Sequence, residues 1–114
     1  MSVMNVDDDA FQDQVFTTNL LVLAEFSGPG INENGDPDSS ALTNRIVDDL
    51  AVEYDGRVLM LRVHKDSSEA TAENFGVDSV PSVIFFKNGA EVSRTTGFHD
   101  KDWYRQEIDR LLRS

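Results

Sequence analysis

The 114 residues contain no cysteine. Disulfides, thiolate nucleophiles, thiolate metal sites and iron–sulfur clusters are therefore excluded, because each needs a cysteine thiol that the chain does not have. The remaining chemistry-bearing residues are sparse. Two histidines, His64 and His99, are too few for a His-rich metal site. A serine hydrolase would need its nucleophile on a sharp strand-to-helix elbow, and no such motif is present. Asn32, Asn34, Asp36 and Asp38 alternate around Gly35 in the manner of a calcium loop. They lack the first-position Asp and the bidentate Glu of an EF-hand, so a polar turn is expected instead. His99 follows Gly97 and Phe98, where an exposed loop histidine is the simpler reading and ligand recognition the sharper one. No metal ion and no cofactor are expected.

Charge narrows the partners. Asp and Glu number 21 against 10 Lys and Arg, a net charge of −11. Such a surface repels nucleic acid and anionic membranes, which both require a basic face. It suits a solvated acidic exterior, adaptation to high salt, or a basic peptide partner, and composition does not separate these. The longest apolar run, Leu20 to Phe26, is strand-sized and contains Glu25, far short of a membrane span. The opening Met-Ser-Val-Met-Asn-Val-Asp-Asp-Asp has neither a basic patch nor an apolar core, so no signal peptide and a cytoplasmic location are expected. The length and the 39% hydrophobic content fit one domain over residues 1–114. A monomer is expected.

The elements that must carry these residues follow from periodicity. Val3 to Val6 alternates like a short strand. Asp7, Asp8 and Asp9 then favour a helix start, with Phe11, Val15 and Phe16 on one face. Leu20–Phe26 predicts a strand buried on both sides. Ser27–Ser40 is rich in Gly, Pro, Asn and Asp and predicts a loop. Asp38 or Ser39 would cap a helix to about Tyr54, packing Leu42, Ile46, Val47, Leu50 and Ala51. A strand over Val58–Val63 precedes a short helix capped by Ser67 or Ser68 and stopped by Gly76. Val83–Phe86 and Glu91–Thr96 flank Asn88-Gly89, the strongest hairpin signal in the chain. Asp100 caps a last helix carrying Trp103, Ile108, Leu111 and Leu112. The order β-α-β-α-β-α-β-β-α implies an α/β fold with a mixed central sheet flanked by helices on both faces.

The stretch Phe75-Gly76-Val77-Asp78-Ser79-Val80-Pro81-Ser82-Val83-Ile84-Phe85-Phe86-Lys87-Asn88-Gly89 resembles the second half of a thioredoxin. There an aromatic-Gly-Val-x-x-x-Pro-Thr run leads into an apolar strand and a Lys-Asn-Gly turn. Arg94–Gly97, the closing helix, Phe11 and Leu20–Phe26 also fit, so the resemblance covers nearly the whole chain and implies a thioredoxin fold. It implies that Pro81 is the family's cis-proline, which turns the backbone of the preceding Val80 outward to pair with an extended peptide. It implies that Glu25 stands for the family's buried aspartate, with Arg62 facing it in place of a lysine. In thioredoxins that acid serves proton transfer for a buried cysteine. Here it is expected to be a structural charge pair, the longer Glu reaching water.

The family's Cys-Gly-Pro-Cys has no counterpart. Counting back from Tyr54 puts Pro37-Asp38-Ser39-Ser40 in its place, whereas counting on from Phe26 puts Ile31–Asn34 there. Ser27-Gly28-Pro29-Gly30 resembles the motif with both cysteines replaced but falls too close to Phe26. No alignment supplies a thiol, and dithiol exchange needs two. The loop runs about six residues longer than the family's, and added loop length costs little closure entropy. It is expected to form a remodelled recognition rim.

The resemblance therefore implies a redox-inactive binding module of chaperone, adaptor or scaffold type, not an enzyme. It would hold a protein or extended peptide in a groove of Val80, Pro81, Gly97, Phe98, Pro37, Asp38, Ser39 and Ser40. The alternative is a thiol-independent glutathione-handling protein or another thioredoxin-fold oxidoreductase or transferase, using Ser39 or Ser40 at the helix N-terminus.

Overall fold

The computed structural model describes residues 3–114; Met1 and Ser2, where the N-terminal reading begins, lie outside the described residues. The elements run β1 (Met4–Asn5), α1 (Asp8–Thr17), β2 (Leu21–Ser27), α2 (Ser39–Glu53), β3 (Val58–His64), α3 (Glu69–Asn74), β4 (Ser82–Lys87), β5 (Ala90–Thr96) and α4 (Lys101–Arg113). They build a five-stranded mixed sheet in the order β1-β3-β2-β4-β5. Strands β1, β3 and β2 pair in parallel, and β4 and β5 are antiparallel. This is the expected α/β thioredoxin fold.

Period-two alternation divides the core into two layers. Leu21 and Leu23 of β2 pack with Val47 and Leu50 of α2 and Tyr104, Ile108 and Leu111 of α4. Val22, Ala24 and Phe26 face the other way, towards Phe11 and Val15 of α1 and Ala72 of α3. Every residue of β2 is buried, so the strand reads as an unbroken apolar run although each face takes every second side chain. Phe11 anchors the α1 layer, with its ring 5.6 Å from Phe75 and 5.7 Å from Phe86.

Aspartates start three of the helices. Asp7, Asp38 and Asp100 accept hydrogen bonds from the N–H groups of Ala10, Ala41 and Trp103 at 2.8, 3.0 and 2.9 Å. The fourth start differs from expectation. Ser68 occupies the N-cap position of α3, but its hydroxyl makes no capping bond and is buried without a partner among the described residues. The carboxylate of Asp8, 63 residues earlier, accepts from the Thr71 N–H at 2.9 Å and also binds the Thr71 hydroxyl. These bonds hold the Asp8 carboxyl below its ordinary range.

Two apolar assignments are corrected. Phe16 is 56% exposed, because a position five after Phe11 rotates well off that residue's face. Leu42 is also exposed, since the buried face of α2 runs through Ser40, Thr43, Val47, Leu50 and Ala51. In α4 the most buried ring is Tyr104, with Trp103 and Leu112 at the margin.

The Asn88-Gly89 turn joins β4 to β5 with φ of 53° and 80° at the two residues, the signature of a type I′ hairpin. A side chain at Gly89 would meet Phe16 as well, its Cβ lying 3.0 Å from Phe16 Cδ1. Gly89→Ala should therefore cost about 1–2 kcal/mol, the penalty for a Cβ in the left-handed region. Urea unfolding measures it, and a neutral result would contradict this turn geometry.

Candidate functional site

Val80 lies at the entry to the antiparallel half of the sheet, and both sides of it are pinned. The Val80–Pro81 bond is cis. The Ser82 hydroxyl donates to the Ser79 carbonyl at 2.7 Å and meets the Thr96 hydroxyl at 3.2 Å. The Pro81 carbonyl accepts from the Gly97 N–H at 2.8 Å. Among the described residues, no hydrogen bond engages the N–H or C=O of Val80 itself. Gly28, leaving β2, closes on Val80 from the far side. A Cβ on Gly28 would stand 2.7 Å from Val80 Cγ2, so only a hydrogen fits there. The Gly28 N–H donates to Ser40 Oγ at 3.1 Å, and Ser40 is 2% exposed.

The segment expected to be an irregular loop is an ordered hairpin. Gly30 C=O accepts from Asp38 N–H at 3.1 Å, and Ile31 pairs with Pro37 in an antiparallel bridge. Asn32 closes the tip: its N–H donates to the Asp36 carbonyl at 2.9 Å, and its side-chain oxygen accepts from the N–H groups of Asn34 and Asp36 at 2.9 and 3.1 Å. The alternating Asn and Asp residues are thereby accounted for. Asn32 makes the turn and Asp38 caps α2, so they do not converge as ligands. Among the described residues no group of three or more His, Asp or Glu is placed to hold a metal ion.

The predicted groove residues divide into three kinds. Val80, Pro81 and Gly97 are brought together by direct contact, with exposed Phe98 following in the chain. Pro37 and Asp38 end the hairpin, and Ser39 opens α2 on the exposed side. Ser40, one residue further in, is turned under the groove against Gly28. Ile31–Asn34 lies on the hairpin, away from the helix start. Gly28, expected as the start of the Gly28–Ser40 recognition rim, is the rim residue that closes on Val80. His99 is taken up structurally, with its ring 4.0 Å from Trp103 in a stack and its Nε2 2.6 Å from the Thr95 hydroxyl.

Beneath this end of the sheet, Glu25 and Arg62 are register partners on β2 and β3. Arg62 Nε lies 2.8 Å from Glu25 Oε1, while Arg62 Nη2 donates to the Asn44 carbonyl and to Asp48 Oδ1, each at 3.0 Å. The expectation that Glu25 reaches water is corrected: it is fully buried, because its position in β2 aims it into the α2–α4 layer. Its second oxygen, the Thr43 hydroxyl and the Tyr104 hydroxyl have no hydrogen-bond partner among the described residues. Burial pushes the Glu25 carboxyl up to about 7, Arg62 only partly opposing it and Asp48 adding to it. Burial, then the charge of Glu25, also raises the Tyr104 hydroxyl.

The thioredoxin family model matches residues 41–110. The chain belongs to the thioredoxin family. It is similar to thioredoxin from Pyropia yezoensis, 29% identical over 112 residues that cover 98% of this chain and 99% of that one. It is 30% identical to the chloroplastic thioredoxin M4 of Arabidopsis thaliana, over 98% of this chain and 55% of the longer relative. Thioredoxin 1 of Nostoc is 25% identical over 94% of both chains. Against that background the first turn of α2, one of the two places to which counting assigned the family's dithiol, opens on Asp38, Ser39 and Ser40. An oxygen in that place forms no mixed disulfide.

The Glu25 carboxyl gives a pH test. Its value in the fold is raised above that of the unfolded chain, so the stability it contributes is whole below about pH 4.5 and is lost as pH rises through about 7. The loss amounts to about 3 kcal/mol. Glu25→Gln removes the titration, so its stability relative to the parent should improve by about that amount between acid and neutral pH. Urea unfolding of both proteins across this range checks it. A difference that runs the other way would mean that Arg62 dominates.

Proposed function

We propose that this chain is a redox-inactive thioredoxin-fold binding module that holds an extended segment of a protein partner beside Val80. The reading rests on one observation above the rest: the Val80 N–H and C=O lack partners among the described residues, although both flanks of the loop are fixed by Pro81–Gly97 and Ser79–Ser82 bonds. A rigid backbone segment with unused donor and acceptor groups adds a strand at little ordering cost. The acidic balance favours a protein ligand over nucleic acid or an anionic membrane. The absence of cysteine leaves no route to dithiol exchange through the chain's own residues, so no catalytic insulin reduction is expected. A serine-based glutathione site is the weaker reading, because the Ser40 hydroxyl is buried and already accepts from Gly28.

Short extended peptides titrated into ¹⁵N-labelled protein should move the amide signals of Val80, Gly97 and Gly28 first. Gly28→Ala should weaken that binding severalfold, because the new methyl displaces Val80. Adding Val80→Ala removes the clashing Cγ2 and should restore most of it. Peptide shifts clustered elsewhere, or insulin turnover above background, would sink this reading.

A further inference from the structure

Three loops meet at Val80. The hairpin after β2 touches it through Gly28, the loop before β4 contains it, and the turn before α4 is tied to it through the Gly97–Pro81 bond. All three carry acids: Glu33, Asp36 and Asp38 on the hairpin, Asp78 two residues before Val80, and Asp100 three residues after Gly97. None of these five carboxylates is in an ion pair among the described residues. Five of the ten basic side chains are ion-paired with other acids. Arg62 is held by Glu25, Lys101 by Asp49, Arg105 by Glu53 and Asp102, and Arg94 and Arg110 by acids on their own elements. Lys65 does reach this end, where its ammonium donates to the Asp78 carbonyl oxygen, leaving the Asp78 carboxylate free. The same loops expose large apolar side chains, with Ile31 59% and Phe98 47% open to solvent.

We infer that the segment taken up beside Val80 is a basic one: an extended stretch of another protein in which Lys or Arg alternates with apolar residues. The inference rests on the groove reading above and adds the partner's chemistry to it. An extended chain sends successive side chains to opposite sides, so its apolar residues can cover Ile31 and Phe98 while its cations face the hairpin and the Asp78 loop. The unpaired acids on these three loops also disfavour an acidic segment, because like charges would be brought together with Lys65 as the one cation described there.

The test uses three peptides of one apolar scaffold with Lys, Gln or Glu at the alternate positions, titrated into the full chain at low and high salt. The Lys peptide should bind at least about tenfold more tightly than the Gln peptide at low salt, shifting the Val80 amide, and the gap should close as salt rises. Asp36→Asn with Asp78→Asn should remove most of the gap while the Gln peptide binds as before. Asp9→Asn with Asp13→Asn on α1, the same loss of charge away from the groove, should leave the gap in place. Equal binding of the three peptides at Val80 would overturn the basic preference and leave the groove intact. A gap erased equally by both double variants would overturn it too, by showing attraction to net charge alone. Failure of every peptide to move the Val80 amide would overturn the groove itself.

Discussion

A strand that is buried on both faces has to hand its side chains alternately to two different layers, and β2 does this along its whole length. Leu21 and Leu23 enter the α2–α4 layer, Val22, Ala24 and Phe26 the α1–α3 layer, and the neighbours β3 and β4 follow the same parity. That constraint decides the fate of the one acid in the strand. Glu25 shares the parity of Leu21 and Leu23, so it is carried into the interior, where Arg62 meets it in register. The pair sits just before the chain leaves the sheet at Ser27 and Gly28, so the cost of a buried carboxyl falls directly below the groove.

Much of this was legible from residue order. The run Leu20–Phe26, the Asn88-Gly89 turn and the capping aspartates Asp38 and Asp100 act through contacts a few residues away, and local rules describe them well. The sequence also pointed to Pro81 and to the Glu25–Arg62 pair, through likeness to a family. What stayed hidden follows from geometry that composition does not report. The 28–38 hairpin is held by the Asn32 side chain and an Ile31–Pro37 bridge, and a Gly- and Asp-rich composition does not distinguish that from irregular chain. Phe16 and Leu42 were placed inside because each is large and apolar next to truly buried residues, yet one residue of helix is a turn of 100°. Ser40 and Thr43 look like surface residues and are buried.

Thioredoxins are recognised by their sulfur chemistry, and this member of the family retains the frame around the missing atoms. The cis bond before Pro81, the Gly97 contact and the Gly28 approach do not involve a thiol. The 28–38 hairpin adds ordered surface at the same edge.

The bond from Asp8 to Thr71 reaches beyond the local geometry of a helix end. Six residues are too few for a helix to persist on its own in water. The first turn of α3 takes its hydrogen-bond acceptor from α1, and Phe75 just beyond its last turn meets Phe11 of α1 edge-on. The two helices on that side of the sheet therefore support one another, and loosening α1 should loosen α3 with it.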